Sequence, residues 1–335
     1  MDGARGGFSK VPMLDVSGLY APEPAAIREV ARALGEHLES VGFLYVAGHR
    51  VPSAAVEAVR EMSKGFFALP DQEKLKLRID RNFRGYLPFA GSTIVTSSVA
   101  KVSKPNQSES IFFLHEVAPD DPRVLAGEPL QGPNQWPDEA ALPGFRAVIE
   151  RYVAEMTDLA RRLVHAISIS LGLPEDGMDR CFEKPTTFLR LLHYPTQPEE
   201  AGLFGSAPHT DYGYITLLAQ DDVGGLEVRN KGGEWIAAPP IRDTFVMNVG
   251  DILARWTNDR FVSTAHRVIN RSGRERYSQP FFFDPGMNEA IETLPTCAPR
   301  GERPKYPPVR YGDYLMERID KNYHYRKGTG SRDGG

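Results

Sequence analysis

Among the eight histidines of this 335-residue chain, His209 alone has an aspartate two residues on, in His209-Thr-Asp211. Chance gives roughly half of one such pairing in a chain like this, so the motif matters through its setting. In an extended segment, residues i and i+2 project from one face, which sends an imidazole and a carboxylate into one cavity. His266, in a later strand-like run, supplies a third donor. Two histidines and a carboxylate on one face suit non-haem Fe(II), leaving positions open for substrate and O2. Ten residues beyond His266 stands Arg276-Tyr-Ser278, again an i, i+2 pair. An arginine fork beside a hydroxyl suits the far carboxylate of a dicarboxylic acid. Singly, each histidine is more commonly a satisfied core or loop residue, and an arginine more commonly a surface ion-pair partner. His37-Leu-Glu39 is the contrast: it falls on a helical pattern, where i and i+2 diverge.

These side chains need elements to hold them. Three apolar stripes at helical spacing run from Ala25 to Val41, from Ser53 to Leu69 with Ser53 as N-cap, and from Pro143 to Leu171. Gly172 and Pro174 stop the third. Gly42-Phe-Leu-Tyr-Val-Ala47 reads as a strand covered on both faces. Residues 80 to 140 read as irregular. From 186 onward the pattern changes to short runs rich in β-branched and aromatic residues. They are Thr187–Tyr194, Tyr214–Gln220, Leu226–Arg229, Glu234–Ala237, Thr244–Asn248, Ala265–Asn270 and Arg276–Phe283. Gly, Pro and Asp turns separate them, which predicts a β-sandwich or barrel. A last helix is expected near Tyr311–Lys321, and a disordered tail over Gly328–Gly335.

Composition narrows the function class. A net charge of −4 with 25% charged residues argues against a nucleic-acid partner, which calls for a cationic excess. Two cysteines, Cys181 and Cys297, make no disulfide framework. No signal-peptide pattern and no membrane-length apolar run occurs, so the expectation is a cytoplasmic protein without a membrane partner.

Over nearly its whole length the chain resembles the isopenicillin N synthase-like branch of the iron(II)- and 2-oxoglutarate-dependent oxygenases. The resemblance rests on Gly42–His49, Phe66–Lys74 and Arg84-Gly-Tyr86. It is strongest in the core, at Leu192-His-Tyr-Pro195, His209-Thr-Asp211, Gly224-Gly-Leu226, Asn248-Val-Gly-Asp251, Ser263–Val268 and Arg276-Tyr-Ser278. It implies a mixed α+β fold: a double-stranded β-helix (jelly-roll) core with a helical N-terminal region and a C-terminal helix. The implied divisions are 1–185, 186–300 and 301–335. By resemblance, His209, Asp211 and His266 are the catalytic metal ligands. Arg276 and Ser278 grip 2-oxoglutarate, with Tyr194 nearby. Several plant relatives have an asparagine where this chain has Leu192, and Arg190 on the same strand face is the substitute contact.

The implied reaction uses Fe(II), 2-oxoglutarate and O2 to hydroxylate or desaturate a small molecule, releasing succinate and CO2. Two alternatives stand beside it: an iron-dependent oxidase of the same fold that does not use 2-oxoglutarate, and a non-catalytic small-ligand-binding barrel. Asp211 together with the Arg276/Ser278 pair speaks against a structural zinc site, and Asp211 against a halogenase. Substrate is expected at Phe83, Arg84, Tyr86, Lys104, Asn106, Ser108, Glu109, Phe112, Phe188, Tyr212 and Phe282. This mixture of polar and aromatic groups suits an amino acid, a peptide-like molecule or a phenolic compound.

Overall fold

Strands covered on both faces lose the apolar/polar alternation of an exposed sheet, and the main sheet here is of that kind. A computed structural model describes residues 7–326 other than 199, 201, 299, 300 and 302. The first strands are β1 (Met13–Asp15), β2 (Phe43–Ala47), β3 (Gly85–Leu87) and β4 (Glu109–Leu114). Then come β5 (Thr186–Tyr194), β6 (Ser206–His209), β7 (Ile215–Gln220), β8 (Leu226–Arg229) and β9 (Trp235–Ala237). The last are β10 (Phe245–Val249), β11 (His266–Val268), β12 (Arg276–Asp284), β13 (Ala290–Ile291) and β14 (Val309–Arg310). The helices are α1 (Pro24–Ser40), α2 (Ser53–Phe67), α3 (Asp71–Lys76), α4 (Pro122–Leu125), α5 (Phe145–Ser170), α6 (Asp251–Trp256) and α7 (Tyr311–Asn322).

Eight strands form the major sheet in the order β1-β2-β10-β7-β12-β5-β4-β3, and four form the minor sheet, β6-β11-β8-β9. The two enclose a cavity between them, the jelly-roll solution for short antiparallel strands. Period-two geometry divides the major sheet into two functions. Leu44, Leu189, Leu191, Leu217, Phe281 and Phe283 face outward and join one core with α1, α2 and α5. Phe43, Tyr45, Leu192, Tyr194 and Val246 face inward and belong to a second cluster with Leu226, Val228 and Val268 of the minor sheet. Each large side chain so buried contributes about 1.5–3 kcal/mol, so helix packing fixes the strands whose other face carries the site.

The long helix runs where its stripe placed it. Ile149, Tyr152, Met156, Leu159, Leu163 and Ile167 are buried, and Gly172, at φ +76°, takes the left-handed position that ends it. Ser53 is not an N-cap; it is the first helical residue after Pro52, and its Oγ donates instead to Asp243 Oδ1 at 2.6 Å. Residues 80–140 are also less irregular than expected. They hold β3 and β4, and β4 lies between β5 and β3 with all six residues buried. The first 114 residues therefore give four strands to the major sheet as well as helices. The tail at Gly328–Gly335 lies outside the described residues. Among the described residues, no helix is long and apolar enough to cross a membrane.

Candidate active site

Strand pairing brings the two histidines together. β6 and β11 run antiparallel with His209 directly opposite His266, and their ring centroids are 4.3 Å apart. β6 ends at His209, so Asp211 comes from the following turn rather than from a continuous strand. That turn is tightly held. The Asp251 backbone N–H donates to the Asp211 carbonyl at 2.7 Å. Thr216 Oγ1 and Asn248 Nδ2 donate to Asp211 Oδ2 at 2.6 and 2.7 Å. A Cβ on Gly213 would lie 1.9 Å from Asp284 Oδ1, and one on Gly250 would lie 2.2 Å from the Gly213 carbonyl oxygen. Only glycine permits this close approach behind Asp211.

With Oδ2 occupied, Oδ1 is left facing the imidazoles, 3.7 Å from both His209 Nε2 and His266 Nε2. His209 Nδ1 sits 2.7 Å from the Ala207 carbonyl and His266 Nδ1 3.4 Å from that of Thr264. A Nδ1–H donated there directs each Nε2 lone pair into the cavity, the usual outer support of a metal-binding histidine. Burial and the neighbouring His266 push His209 down to about 4, so its ring is a neutral donor near pH 7. Burial pushes the Asp211 carboxyl up, but His266, His209 and its two side-chain hydrogen bonds outweigh this and hold it below the ordinary range. One ligand atom from each residue lies within 4.8 Å of the others. The donor set fits a divalent iron with open positions.

Behind the triad, Tyr194, Leu192, Leu218, Val268, Arg276 and Ser278 line an inner cavity. Arg276 pairs with Tyr194, and Ser278 with Leu192, across β12 and β5. The Arg276 side chain is fully buried. Its guanidinium lies 4.8 Å from the Tyr194 ring centre, and Nη2 donates to Gln220 Oε1 at 3.2 Å. Nε and Nη1 have no partner. Buried donors left unpaired cost about 1–3 kcal/mol each, so this end of the cavity is built for an anion.

On the other side, an outer cavity of about 750 Å³, counted to its open mouth, shares Arg190, His209 and Asp211 with the inner one. Of the residues expected to meet substrate, Phe83, Asn106, Phe112, Phe188, Tyr212 and Phe282 line it. Ser108 lines the inner cavity instead. Arg84, Tyr86, Lys104 and Glu109 line neither. Lys104 pairs with Glu200 at 2.6 Å. Tyr86 donates to Glu109, which also meets Lys74 at 3.0 Å and His193 Nδ1 at 2.8 Å in a buried cluster.

Arg84 is fully buried, and its guanidinium donates to the carbonyls of Asn82, Leu130 and His115 at 2.8–3.1 Å. Burial pushes it down to about 10. Arg84→Met leaves three carbonyls without these donors and is expected to cost about 3 kcal/mol or more in urea unfolding. The KM for 2-oxoglutarate of the folded fraction should stay at the parent value. A raised KM at unchanged stability would return Arg84 to the binding machinery.

Several site residues have no role assigned from sequence, although Asn248 stands in one of the family-like motifs. Thr216, Asn248 and Gln220 brace Asp211 and Arg276. Thr216 and Gln220 share the inward face of β7, so the strand's alternation was the available signal. Leu315, Ile319 and Asn322 of α7 and Tyr323 close one wall of the outer cavity. Asn322 Nδ2 donates to Thr96 Oγ1 at 2.7 Å and to the Tyr212 hydroxyl. Their 315/319/322 spacing reads as an ordinary core-facing stripe, which is why the helix alone did not mark them.

Residues 185–285 match the family described as the 2OG-Fe(II) oxygenase superfamily, and residues 11–139 match non-haem dioxygenase in morphine synthesis N-terminal. The chain is 36% identical over 320 residues to a 2-oxoglutarate-Fe(II) type oxidoreductase of Emericella nidulans, covering 93% of this chain and 90% of that protein. It is 35% identical to a homoarginine-6-hydroxylase of Oryza sativa subsp. japonica, covering 94% and 98%. A full-length Neurospora crassa protein solved in complex with alpha-KG and thymine superposes with a TM-score of 0.82 at 30% identity, over 93% of this chain and 96% of that one. With its jelly-roll, its His-Asp-His cluster and relatives matched almost end to end, this chain belongs to the 2-oxoglutarate- and Fe(II)-dependent oxygenases, a family of dioxygenase enzymes.

Proposed function

We propose that His209, Asp211 and His266 hold the iron, that Arg276 and Ser278 hold the distal carboxylate of 2-oxoglutarate over Tyr194, and that a small molecule enters the outer aromatic cavity. The observation that carries this reading is the buried Arg276 guanidinium, with Nε and Nη1 unpaired, in the same cavity as the triad. A dicarboxylic 2-oxoacid has the two ends that such a cavity needs. When bound, Fe(II) with 2-oxoglutarate and O2 supplies the oxidant that removes hydrogen from a substrate C–H bond, with succinate and CO2 as by-products.

The chain's own residues do the rest. Thr216 and Asn248 orient Asp211 so that one oxygen faces the metal position. Arg276 fixes the length over which the cosubstrate can lie. Phe188 and Phe282, facing each other edge to face at 6.3 Å, help keep water away from the substrate carbon. The free thiols of Cys181 and Cys297 suit a reducing compartment such as the cytoplasm.

The test is coupling. Decarboxylation of 2-oxoglutarate should be slow alone and accelerate on addition of a true substrate, with succinate formed in proportion to oxidised product. Iron-dependent turnover without succinate would favour an oxidase, and failure across a broad library would favour a ligand-binding barrel.

A further inference from the structure

We infer that Arg190 seats the carboxylate of the prime substrate, so that the outer cavity takes a small aromatic acid. This rests on the proposed seat of 2-oxoglutarate at Arg276. Arg190 is the only lysine or arginine among the described residues lining the outer cavity. Among the described residues no carboxylate pairs with it, and its buried Nε has no hydrogen-bond partner. The one other acidic group on that wall besides Asp211 does not answer its charge. Asp284 accepts from the Tyr214 backbone at 2.6 Å and from the Tyr311 hydroxyl at 2.7 Å. A cation held beside a cavity without a counter-ion costs stability, which is typical of a group kept for a ligand.

Arg190 reaches the inner cavity as well, but along β5 it stands apart from the Arg276 seat. The partner of Arg276 across the sheet is Tyr194, four residues from Arg190 on β5, or about 13 Å along the strand. The Arg190 guanidinium leans the other way, 4.7 Å from the ring centre of Phe112, its neighbour on β4. Phe112 in turn packs on Phe83 at 4.6 Å, and both belong to the outer cavity alone. Phe188 and Phe282 face one another beside them. The chain thus offers two cations for anions, Arg276 in the inner cavity alone and Arg190 beside His209 and Asp211 where the two cavities meet. A carboxylate on Arg190 would leave the planar body among the rings, with a C–H bond near the metal position.

Calorimetry on the anaerobic protein loaded with Fe(II) and 2-oxoglutarate tests this with benzoate, phenylacetate and 3-phenylpropionate, each against its neutral amide. At least one carboxylate should bind the parent tenfold or more tightly than its amide. In Arg190→Met that preference should fall below twofold, with the Kd for 2-oxoglutarate within twofold of the parent. The variant's melting temperature should fall little, since Arg190 pairs with no carboxylate among the described residues and gives up only its contact with the Phe112 ring, and Arg190→Lys should restore part of the preference. A panel in which no carboxylate outbinds its amide overturns the inference, as does a preference that survives in Arg190→Met. A tenfold loss of 2-oxoglutarate affinity in Arg190→Met overturns it too and moves Arg190 to the cosubstrate. Failure of the parent itself to bind 2-oxoglutarate would instead sink the underlying reading.

Discussion

Asp211→Ala is expected to leave a folded protein that no longer retains iron and shows no measurable substrate oxidation. Two imidazoles remain, but the anionic ligand is gone, and with it the acceptor for Thr216 and Asn248. Loss of an outer-shell partner alone typically costs 10–100-fold in metal affinity, so loss of the ligand should exceed about 100-fold. Asn248→Ala should fall in the lower range, because Thr216 still orients the carboxylate. His37→Ala, on α1, should leave iron binding intact. Anaerobic titration with Fe(II) reads all three, and equal affinity in Asp211→Ala and the parent would remove Asp211 from the ligand set.

Arg276→Met is expected to raise the KM for 2-oxoglutarate while leaving iron affinity unchanged. Methionine preserves most of the apolar stem but not the guanidinium. Truncating one partner of a buried, hydrogen-bonded charge pair costs about 2–5 kcal/mol, a loss of roughly 30- to 5,000-fold in affinity. The contact lies far from the reacting carbons and holds ground and transition states alike, so KM should carry the change. A 2-oxoacid without the distal carboxylate should bind the parent poorly and lose little more in the variant. A parent-like KM would move the clamp elsewhere, with Arg190 first to be examined.

The contrast between Arg276 and Arg84 explains what the sequence made legible. Arg276 stands two residues from Ser278 on a strand, and strand alternation dictates that both face one side. Its cavity then follows from the fold. Arg84 lies in an irregular stretch, where no period says where a long side chain ends, and it ends on three backbone carbonyls. The same distinction holds for whole elements. The 26-residue α5 announces itself through a long stripe. β4 is six residues between polar flanks, too short for its apolar run to stand out, yet it carries Phe112 beside Arg190. The opposition of His209 and His266 is a matter of register, which depends on how β6 and β11 pair across 57 residues of chain. Local sequence does not encode that pairing.

The central claim is that one cavity seats iron at the triad and 2-oxoglutarate between the triad and Arg276. If so, metal and cosubstrate must bind cooperatively, each tightening the other by the same factor. The direct measurement is the Kd of 2-oxoglutarate, by anaerobic calorimetry, with and without Fe(II). The parent should bind at least tenfold more tightly with the metal. That coupling should vanish in Asp211→Ala and persist, on a weaker baseline, in Arg276→Met. Equal affinity for 2-oxoglutarate with and without Fe(II) in the parent would contradict the account.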